Sequence, residues 1–187
     1  VDAITMQDCI AGDFYRSETK YGPMIHARLR PAEENSGKLV ALVRKESRKR
    51  AEEENLDLVL TDGPPGIGCP VIASLGNADY ALIVTEPTPS GIHDLERVVG
   101  VCRHFDVPAM VCVNKYDLNL EVDKQIRDFC RQNDIVVTPG IPFDESVPDA
   151  VSQGLPLVEY GDCPALKAIE TVWQEGKAAL DRVKPGK

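Results

Sequence analysis

The sequence predicts an α/β fold built on a doubly wound, mostly parallel sheet. Short and nearly continuous apolar runs, bounded by turn residues, recur at Asp57–Thr61, Tyr80–Val84, Ala109–Val113 and Ile135–Val137. Such runs are typical of parallel strands that are covered on both faces. Helical patterns separate the runs at intervals of about 25 residues, which is the βαβ arrangement. Ligands bind at the carboxyl ends of such strands, so functional residues are expected directly after each run.

Three segments carry the periodicity of amphipathic helices. The first follows Ser90, a predicted N-cap, and keeps apolar residues on one face as far as Phe105. Leu118–Gln132 and Pro164–Leu180 give two more helices. Trp173 lies in the apolar stripe of the last helix and is interpreted as a core residue.

The amino-terminal part has a different pattern. Phe14–Thr19 and Met24–Leu29 are extended segments around the turn residues Lys20–Pro23, which predicts a β-hairpin. Val1–Met6 is a candidate for one more short strand. The basic run Arg44–Arg50 is followed by three glutamates and is interpreted as the solvated face of a helix.

Composition is that of an ordinary globular domain. The chain has 187 residues, of which 43% are hydrophobic and 27% charged. No run approaches the roughly 18 apolar residues of a membrane span. The formal net charge of −9 opposes nonspecific binding to nucleic acid. The 6 cysteines include no C-x-x-C pair, so we expect reduced thiols in a cytoplasmic protein.

The first run ends in a candidate magnesium site. Asp62 follows apolar residues, and a carboxylate at the tip of a buried parallel strand can orient a hydrated Mg²⁺ beside nucleotide phosphates, as a Walker B residue does. Gly63 and Gly66 flank two prolines and predict a loop that approaches a γ-phosphate and moves when it leaves. An ordinary turn has the same residue types.

The next two runs end in candidate nucleotide contacts. Thr85, Glu86 and Pro87 follow the second run and enter a helix whose amino terminus faces the same edge. The third run ends in Asn114-Lys115-Tyr116-Asp117, an N-K-x-D pattern. The Asn amide can donate to and accept from a base edge, the Lys stem can cover a ring, and an Asp can accept from guanine.

The fourth run leads to a proline-rigid loop. Pro142, Phe143 and Asp144 are candidates for the border of the base, with core packing of Phe143 as the alternative. We therefore expect Asp62, Thr85, Asn114 and Pro142 at one edge of the sheet.

The sequence contains no complete P-loop, whose pattern is G-x-x-x-x-G-K-[ST]. Gly37-Lys38, Gly176-Lys177 and Gly186-Lys187 all lack the earlier Gly and the following Ser or Thr. The first of these pairs is interpreted as the start of a helix with Ser36 as its N-cap.

Motifs along nearly the whole chain resemble those of the MinD-superfamily P-loop ATPases that carry an inserted ferredoxin domain. The wider group includes ParA, Mrp-type iron–sulfur carriers, nitrogenase iron protein and the nucleotide domain of cobyrinic acid a,c-diamide synthase. The motifs, in family order, are Ser17-Glu18-Thr19-x-x-Gly22-Pro23, His26-Ala27-x-Leu29, Glu33–Val40, Asp62–Gly66, Thr85–Thr88, Asn114–Asp117 and Ile141–Asp144.

The resemblance implies an incomplete P-loop NTPase fold of the MinD type, within the SIMIBI class. Residues 1–12 would be the end of the ferredoxin insert, and residues 13–187 would be the carboxy-terminal part of the ATPase domain. The deviant Walker A lysine, the water-activating aspartate and two 4Fe–4S motifs would precede Val1. Asp62 would be the Walker B carboxylate, Asn114 the base reader, and Pro142–Asp144 the loop beside adenine.

The implied cofactors are ATP and Mg²⁺, and the implied partners are a second copy of the chain and a redox or iron–sulfur protein. A complete N-K-x-D pattern is also a guanine reader, so Lys115 and Asp117 leave the base open. Two other hypotheses remain at this stage. One is a scaffold that binds a partner and hydrolyses nothing, and the other is a redox carrier that holds a cluster through Cys69 across a dimer.

Overall fold

The computed structural model describes residues 12–31 and 37–183, which belong to two compact units. The amino-terminal unit ends at Gly76 and the carboxy-terminal unit begins at Asn77. The predicted strand Val1–Met6 and the predicted N-cap Ser36 lie outside the described residues.

The amino-terminal unit opens with the predicted hairpin. Strands β1 (Gly12–Thr19) and β2 (Gly22–Leu29) are antiparallel and pair along their whole length. The Thr19 hydroxyl donates to the Gly22 carbonyl across the turn, at 2.7 Å. Gly22 has a φ of 128°, a conformation that glycine adopts without steric cost. The hairpin prediction is confirmed.

Helix α1 (Gly37–Glu54) carries the basic run and pairs much of it with acidic neighbours. Arg50 contacts Glu18 of the hairpin and Glu54 of its own helix. Arg44 donates to the Ala73 carbonyl, at 2.9 Å, near the end of helix α2 (Cys69–Leu75). The prediction of a helix is confirmed, but these arginines tie the unit together and are more than a solvated face.

The predicted strand Asp57–Thr61 is wrong in this unit. Its residues lie outside any helix or strand and are exposed, Leu60 by 81%. A parallel strand gains its hydrogen bonds from neighbouring strands. Among the described residues of this unit the strands are the two of the hairpin, which pair with each other, so the apolar run has no sheet to join.

The carboxy-terminal unit contains a parallel sheet in the order β3–β4–β5. The strands are β3 (Ala81–Thr85), β4 (Ala109–Val113) and β5 (Val136–Val137). Helix α3 (Pro89–His104) connects the first two and helix α4 (Leu120–Gln132) the last two. The predicted α/β fold with a parallel sheet is confirmed.

One face of this sheet packs against α3 and α4. The buried cluster between them takes residues from both helices and from the central strand: Leu95, Val99, Val111, Val113, Val122, Ile126 and Cys130. Val111 and Val113 of β4 and Ile126 of α4 are fully buried in this cluster. Burial of the central strand explains why β4 has a continuous apolar sequence.

Helix α7 (Pro164–Val183) lies beside the other face of β4. Gly176 of this helix is close to Met110 of the strand, since a Cβ added to it would be 3.9 Å from the Met110 sulfur. It buries Ala165 and Val172. Trp173 is 42% exposed, so its assignment to the core is wrong. The reason is the helical step of about 100° between neighbours, which turns residue 173 away when residue 172 faces the sheet.

Two short helices, α5 (Ser146–Ser152) and α6 (Leu157–Tyr160), lie between β5 and α7. The N-cap of α3 is Thr88 rather than Ser90, because the Thr88 hydroxyl accepts from the Gly91 amide at 3.0 Å and Pro89 occupies the first turn. Within residues 12–31 and 37–183, no helix combines the length and the apolar character that crossing a bilayer requires.

Candidate nucleotide site at the carboxyl ends of the strands

Thr85 ends β3 and connects it to the strand beside it. Its backbone carbonyl accepts from the Asn114 amide at 2.7 Å, and its side chain is buried. The hydroxyl donates to the Gly91 carbonyl at 3.1 Å, so it is committed to the first turn of α3. Thr85 thus joins two strand ends and a helix amino terminus.

Gly91 allows that helix to begin directly against the strand end. A Cβ at this position would lie 2.2 Å from the Glu86 carbonyl oxygen and 3.0 Å from the Thr85 hydroxyl oxygen. Pro87, between them, is buried. The close approach places the backbone of 85–91 in a compact turn at the edge of the sheet.

Asn114 stands at the centre of this edge. It follows β4 and forms a parallel bridge with Ile141, whose amide donates to the Val113 carbonyl at 3.0 Å. Thr85, Asn114 and the residue before Pro142 are therefore adjacent, as the sequence predicted for this part of the edge. The Asn114 side-chain amide makes no hydrogen bond to any residue in the described part of the chain, so both its donor and acceptor are available to a ligand.

Lys115 adopts the left-handed conformation, with φ 52° and ψ 43°, and reverses the chain after β4. Its ammonium group lies 2.8 Å from a carboxylate oxygen of Glu86, so the ends of β3 and β4 are joined by an ion pair. Both side chains are partly exposed. Lys115 and Glu86, both predicted to contact a ligand, therefore pair with each other.

Asp117 is committed to the loop that follows β5. One of its carboxylate oxygens accepts from the Phe143 amide at 2.8 Å. The cap of α4 is Asn119, whose side-chain oxygen accepts from the Val122 amide at 3.1 Å, so Asp117 is not the cap of that helix.

Asp144 holds the far end of the same loop. One carboxylate oxygen accepts from the Ser146 amide at 2.9 Å and the other from the Ala165 amide at 3.1 Å. These backbone amides, Ala165 first, lower the pKa of the Asp144 carboxyl below its usual range. Phe143, between the two aspartates, is exposed and is not a core residue.

Two contacts that sequence reasoning missed lie near the edge: Tyr116 against Gly140, and Arg127 with Asp123. The ring of Tyr116 covers Gly140, where a Cβ would approach the ring carbons to 2.7 Å. Arg127 donates to Asp123 of its own helix at 2.8 Å. The Asp-x-x-x-Arg spacing on α4 is a signal for that pair, and a glycine shortly after a strand is a signal for the close approach.

The predicted magnesium residue lies in the amino-terminal unit. Asp62 is exposed and outside any helix or strand, and Gly66 in its loop has a φ of 85°. Its carboxylate makes no hydrogen bond to another described residue, so its oxygens are available to waters around a cation. Mg²⁺ keeps several waters and takes one or two carboxylates together with phosphates, and a single exposed carboxylate fits that donor set.

The described residues of one chain hold no complete set of cluster ligands. They contain no group of three or more His, Cys, Asp or Glu side chains that could hold a metal. Cys69 is exposed, whereas Cys102, Cys112, Cys130 and Cys163 are buried and apart from it in sequence.

Comparison with solved structures decides the fold. The MinD cell division protein of Aquifex aeolicus is similar with a TM-score of 0.64 and 24% identity, over 86% of this chain and 66% of that chain. The fold is that of the MinD-type ATPases.

A septum site-determining protein MinD of Helicobacter pylori, 26% identical over 63% of this chain and 48% of its own length, supports the MinD/ParA-like P-loop ATPase superfamily. An uncharacterised protein of Methanocaldococcus jannaschii is 30% identical over 137 residues, covering 73% of this chain and 45% of its own length. An iron-sulfur cluster carrier protein of Pyrococcus abyssi is 29% identical over 134 residues, with 61% and 43% covered. The chain thus spans about half the length of these relatives. No protein-family profile matches it.

Proposed function

We propose that the chain is the carboxy-terminal part of a cytoplasmic MinD-like ATPase that binds and hydrolyses ATP with Mg²⁺. The observation that carries the proposal is the available amide of Asn114 at the joined ends of β3 and β4, beside the loop at Ile141. Such an edge is where open α/β sheets bind their ligands. Residues 1–12 would be the end of an inserted module, and the P-loop would lie outside this chain.

Two features support a larger sheet in the full-length protein. Strand β3 is an edge of the described sheet, and its Leu82 and Val84 are exposed although its sequence is continuously apolar. The apolar run at 57–61 is also unpaired. Continuous apolar strands belong in the interior of a parallel sheet, so both segments fit a sheet with more strands than the described residues supply.

Within this site Asn114 would read the base. Its amide can accept from the adenine amino group and donate to a ring nitrogen. Thr85, Glu86 and Pro87 would shape the floor, and Pro142 and Phe143 would border the ring. In the amino-terminal unit, considered by itself, Asp62 would hold a hydrated Mg²⁺, whose chemistry is the neutralisation of phosphate charge, and Gly63 and Gly66 would let their loop follow a γ-phosphate.

Adenine is favoured over guanine by the hydrogen bonds of Asp117. Recognition of guanine by an aspartate uses both carboxylate oxygens, one for the ring N–H and one for the amino group. In this chain one oxygen already accepts from the Phe143 amide. Lys115, the other distinguishing letter of N-K-x-D, is paired with Glu86.

Substitution of Asp117 in the full-length protein tests the base. In Asp117→Asn the amide oxygen can still accept from Phe143, so we expect ATP affinity to change by less than about threefold. A guanine reader would instead lose roughly a hundredfold in GTP affinity, because a charge-assisted pair disappears. Asp134→Asn, the same charge change at the other end of α4, is the control. A selective loss of GTP binding contradicts the adenine assignment.

The isolated chain is expected to turn over neither ATP nor GTP, because its sequence lacks the G-x-x-x-x-G-K-[ST] pattern that holds the β-phosphate. Release of inorganic phosphate by purified 1–187 measures this. Turnover that disappears in Asp62→Ala would refute the expectation.

A homodimer and a link to iron–sulfur or redox chemistry complete the proposal. The dimer is what the sequence resemblance to the MinD-type group implies, and the link is suggested by sequence similarity to a protein named as an iron-sulfur cluster carrier. Sedimentation of the full-length protein with and without ATP tests the dimer, and unchanged mass would contradict it.

A further inference from the structure

We propose that Asp144 is a positioning residue of the base loop and does not touch the nucleotide. The base loop is defined as residues 141–144. Asp144 fixes Pro142 and Phe143 in place by binding the backbone amides of two different helices with its two carboxylate oxygens. The inference rests on the proposed function, because it assigns a role within the same site.

Both oxygens of Asp144 are already engaged. One accepts from the amide of Ser146 at the start of α5, and the other from the amide of Ala165 in the first turn of α7. These two amides belong to different helices that lie apart along the chain. A carboxylate that bridges two helix amino termini in this way is poorly placed to accept a hydrogen bond from a base.

Helix α7 is a firm anchor for the loop. Its first turn has a second hydrogen bond, from the Leu166 amide to the Cys163 sulfur at 3.4 Å. Farther along, the helix packs beside Met110 of β4. The bond from Asp144 to Ala165 therefore fixes the loop relative to a helix that is itself fixed on the sheet.

The other end of the loop is held independently. Ile141 donates to the Val113 carbonyl at 3.0 Å, and the Phe143 amide donates to Asp117 at 2.8 Å. Pro142 has no backbone N–H to contribute. Release of Asp144 would leave the first half of the loop attached and free the second, so Phe143 is the residue whose position should change.

The test compares two ligands in the full-length protein. ATP uses the base loop, whereas inorganic tripolyphosphate does not. In Asp144→Asn, which keeps one acceptor, and in Asp144→Ala, which keeps none, we expect ATP to bind about threefold to tenfold more weakly, with the larger loss in the alanine variant. Affinity for tripolyphosphate should stay within about twofold. Asp149→Asn, the same charge change on α5, is the control.

Amide hydrogen exchange without nucleotide separates positioning from direct contact. Loss of the acceptor should speed exchange at Ser146 and Ala165 by about fivefold or more, while β4 stays protected. A residue that contacts ATP directly would weaken ATP binding and leave these two amides unchanged, which would overturn the inference. So would an unchanged ATP affinity, or equal losses for both ligands.

If Asp144→Ala does not fold, the same comparison in Asp144→Asn decides. A wild-type protein that binds tripolyphosphate but not ATP overturns the proposed function, and the inference with it. Failure of the inference alone appears only in the variants.

Discussion

Two apolar segments of similar sequence differ in burial: one is in the core and the other is exposed. Met110–Val113, in the centre of the parallel sheet, is almost completely buried, with Val111 and Val113 at 0% exposure. Leu58–Leu60, in the amino-terminal unit, is exposed and forms no strand. The difference is in the neighbours, since β4 pairs on both sides, with β3 and with β5.

The comparison shows what an apolar pattern does and does not specify. It specifies that a segment is stable only when covered, because each buried side chain contributes about 1.5–3 kcal/mol of transfer free energy. It does not supply the covering elements. The apolar segment at 57–61 stays exposed because no described strand of its own unit pairs with it.

The largest expected effect comes from the same substitution in both regions. Leu95→Ala removes a buried side chain that packs on β4 and should cost about 2–5 kcal/mol of unfolding free energy. Leu60→Ala removes an exposed one and should change it by less than about 0.5 kcal/mol. Urea denaturation of the isolated chain measures both. An equal loss in the two variants would mean that the apolar run is covered in solution.

The full-length protein sharpens this comparison. There Leu60→Ala is expected to become as costly as a core substitution, about 2–5 kcal/mol, if the run joins a larger sheet. A neutral effect in the full-length protein would count against that role for residues 57–61.

The next effect concerns the turn between the end of β3 and the start of α3. Gly91→Ala should destabilise the chain by about 1–3 kcal/mol, because its Cβ would clash with the Glu86 carbonyl. Gly100→Ala, in the same helix with open space around it, should stabilise by about 0.5–1 kcal/mol. Thermal unfolding of the pair is the measurement, and equal shifts in Tm would disprove the close approach at Gly91.

The smallest expected effect is on the pH dependence of stability, which we compare for one cysteine in each region. Burial raises the pKa of the Cys130 thiol to about 11, against an ordinary 9.0, although the Arg127 cation lowers it in part. The unfolded chain then loses this proton first, so stability should fall as the pH rises through about 9 to 11.

Urea midpoints across that pH window, compared between wild type and Cys130→Ala, isolate the contribution of this thiol. The variant should have the shallower decline. Cys69→Ala is the matched control, because it makes the same substitution at an exposed thiol. A decline that is identical in wild type and Cys130→Ala would show that the thiol does not titrate differently in the folded state.

The sequence was sufficient for the long helices and the sheet of the carboxy-terminal unit, but it did not predict α5 or α6 and was insufficient for the site. The periodicities predicted α3, α4 and α7 and the strands of the sheet, because each of these elements buries one or both of its faces in the unit itself. The same signals failed at Asp57–Thr61, where the pattern was right for a strand but the partners were absent.

Hydrogen bonds within the site were out of reach of the sequence. The residue types of Lys115 and Asp117 suggested contacts to a ligand. In the structure, Lys115 pairs with Glu86, and Asp117 accepts from the Phe143 amide. These partners are 29 and 26 residues away, and only the parallel register of the strands brings them together. The two-helix role of Asp144 depends on where α7 starts, which no local pattern gives.

Lys115 shows how such a site could change in evolution. Its left-handed backbone costs about 1–2 kcal/mol for a residue with a side chain, and glycine or asparagine would adopt it more readily. A lysine at this position offsets that cost in part through its ion pair with Glu86. The pair is partly exposed and is therefore weakened by salt. Homologous chains from salt-rich cells would gain little from that pair, and drift to Gly or Asn at position 115, with release of Glu86, is the substitution expected there.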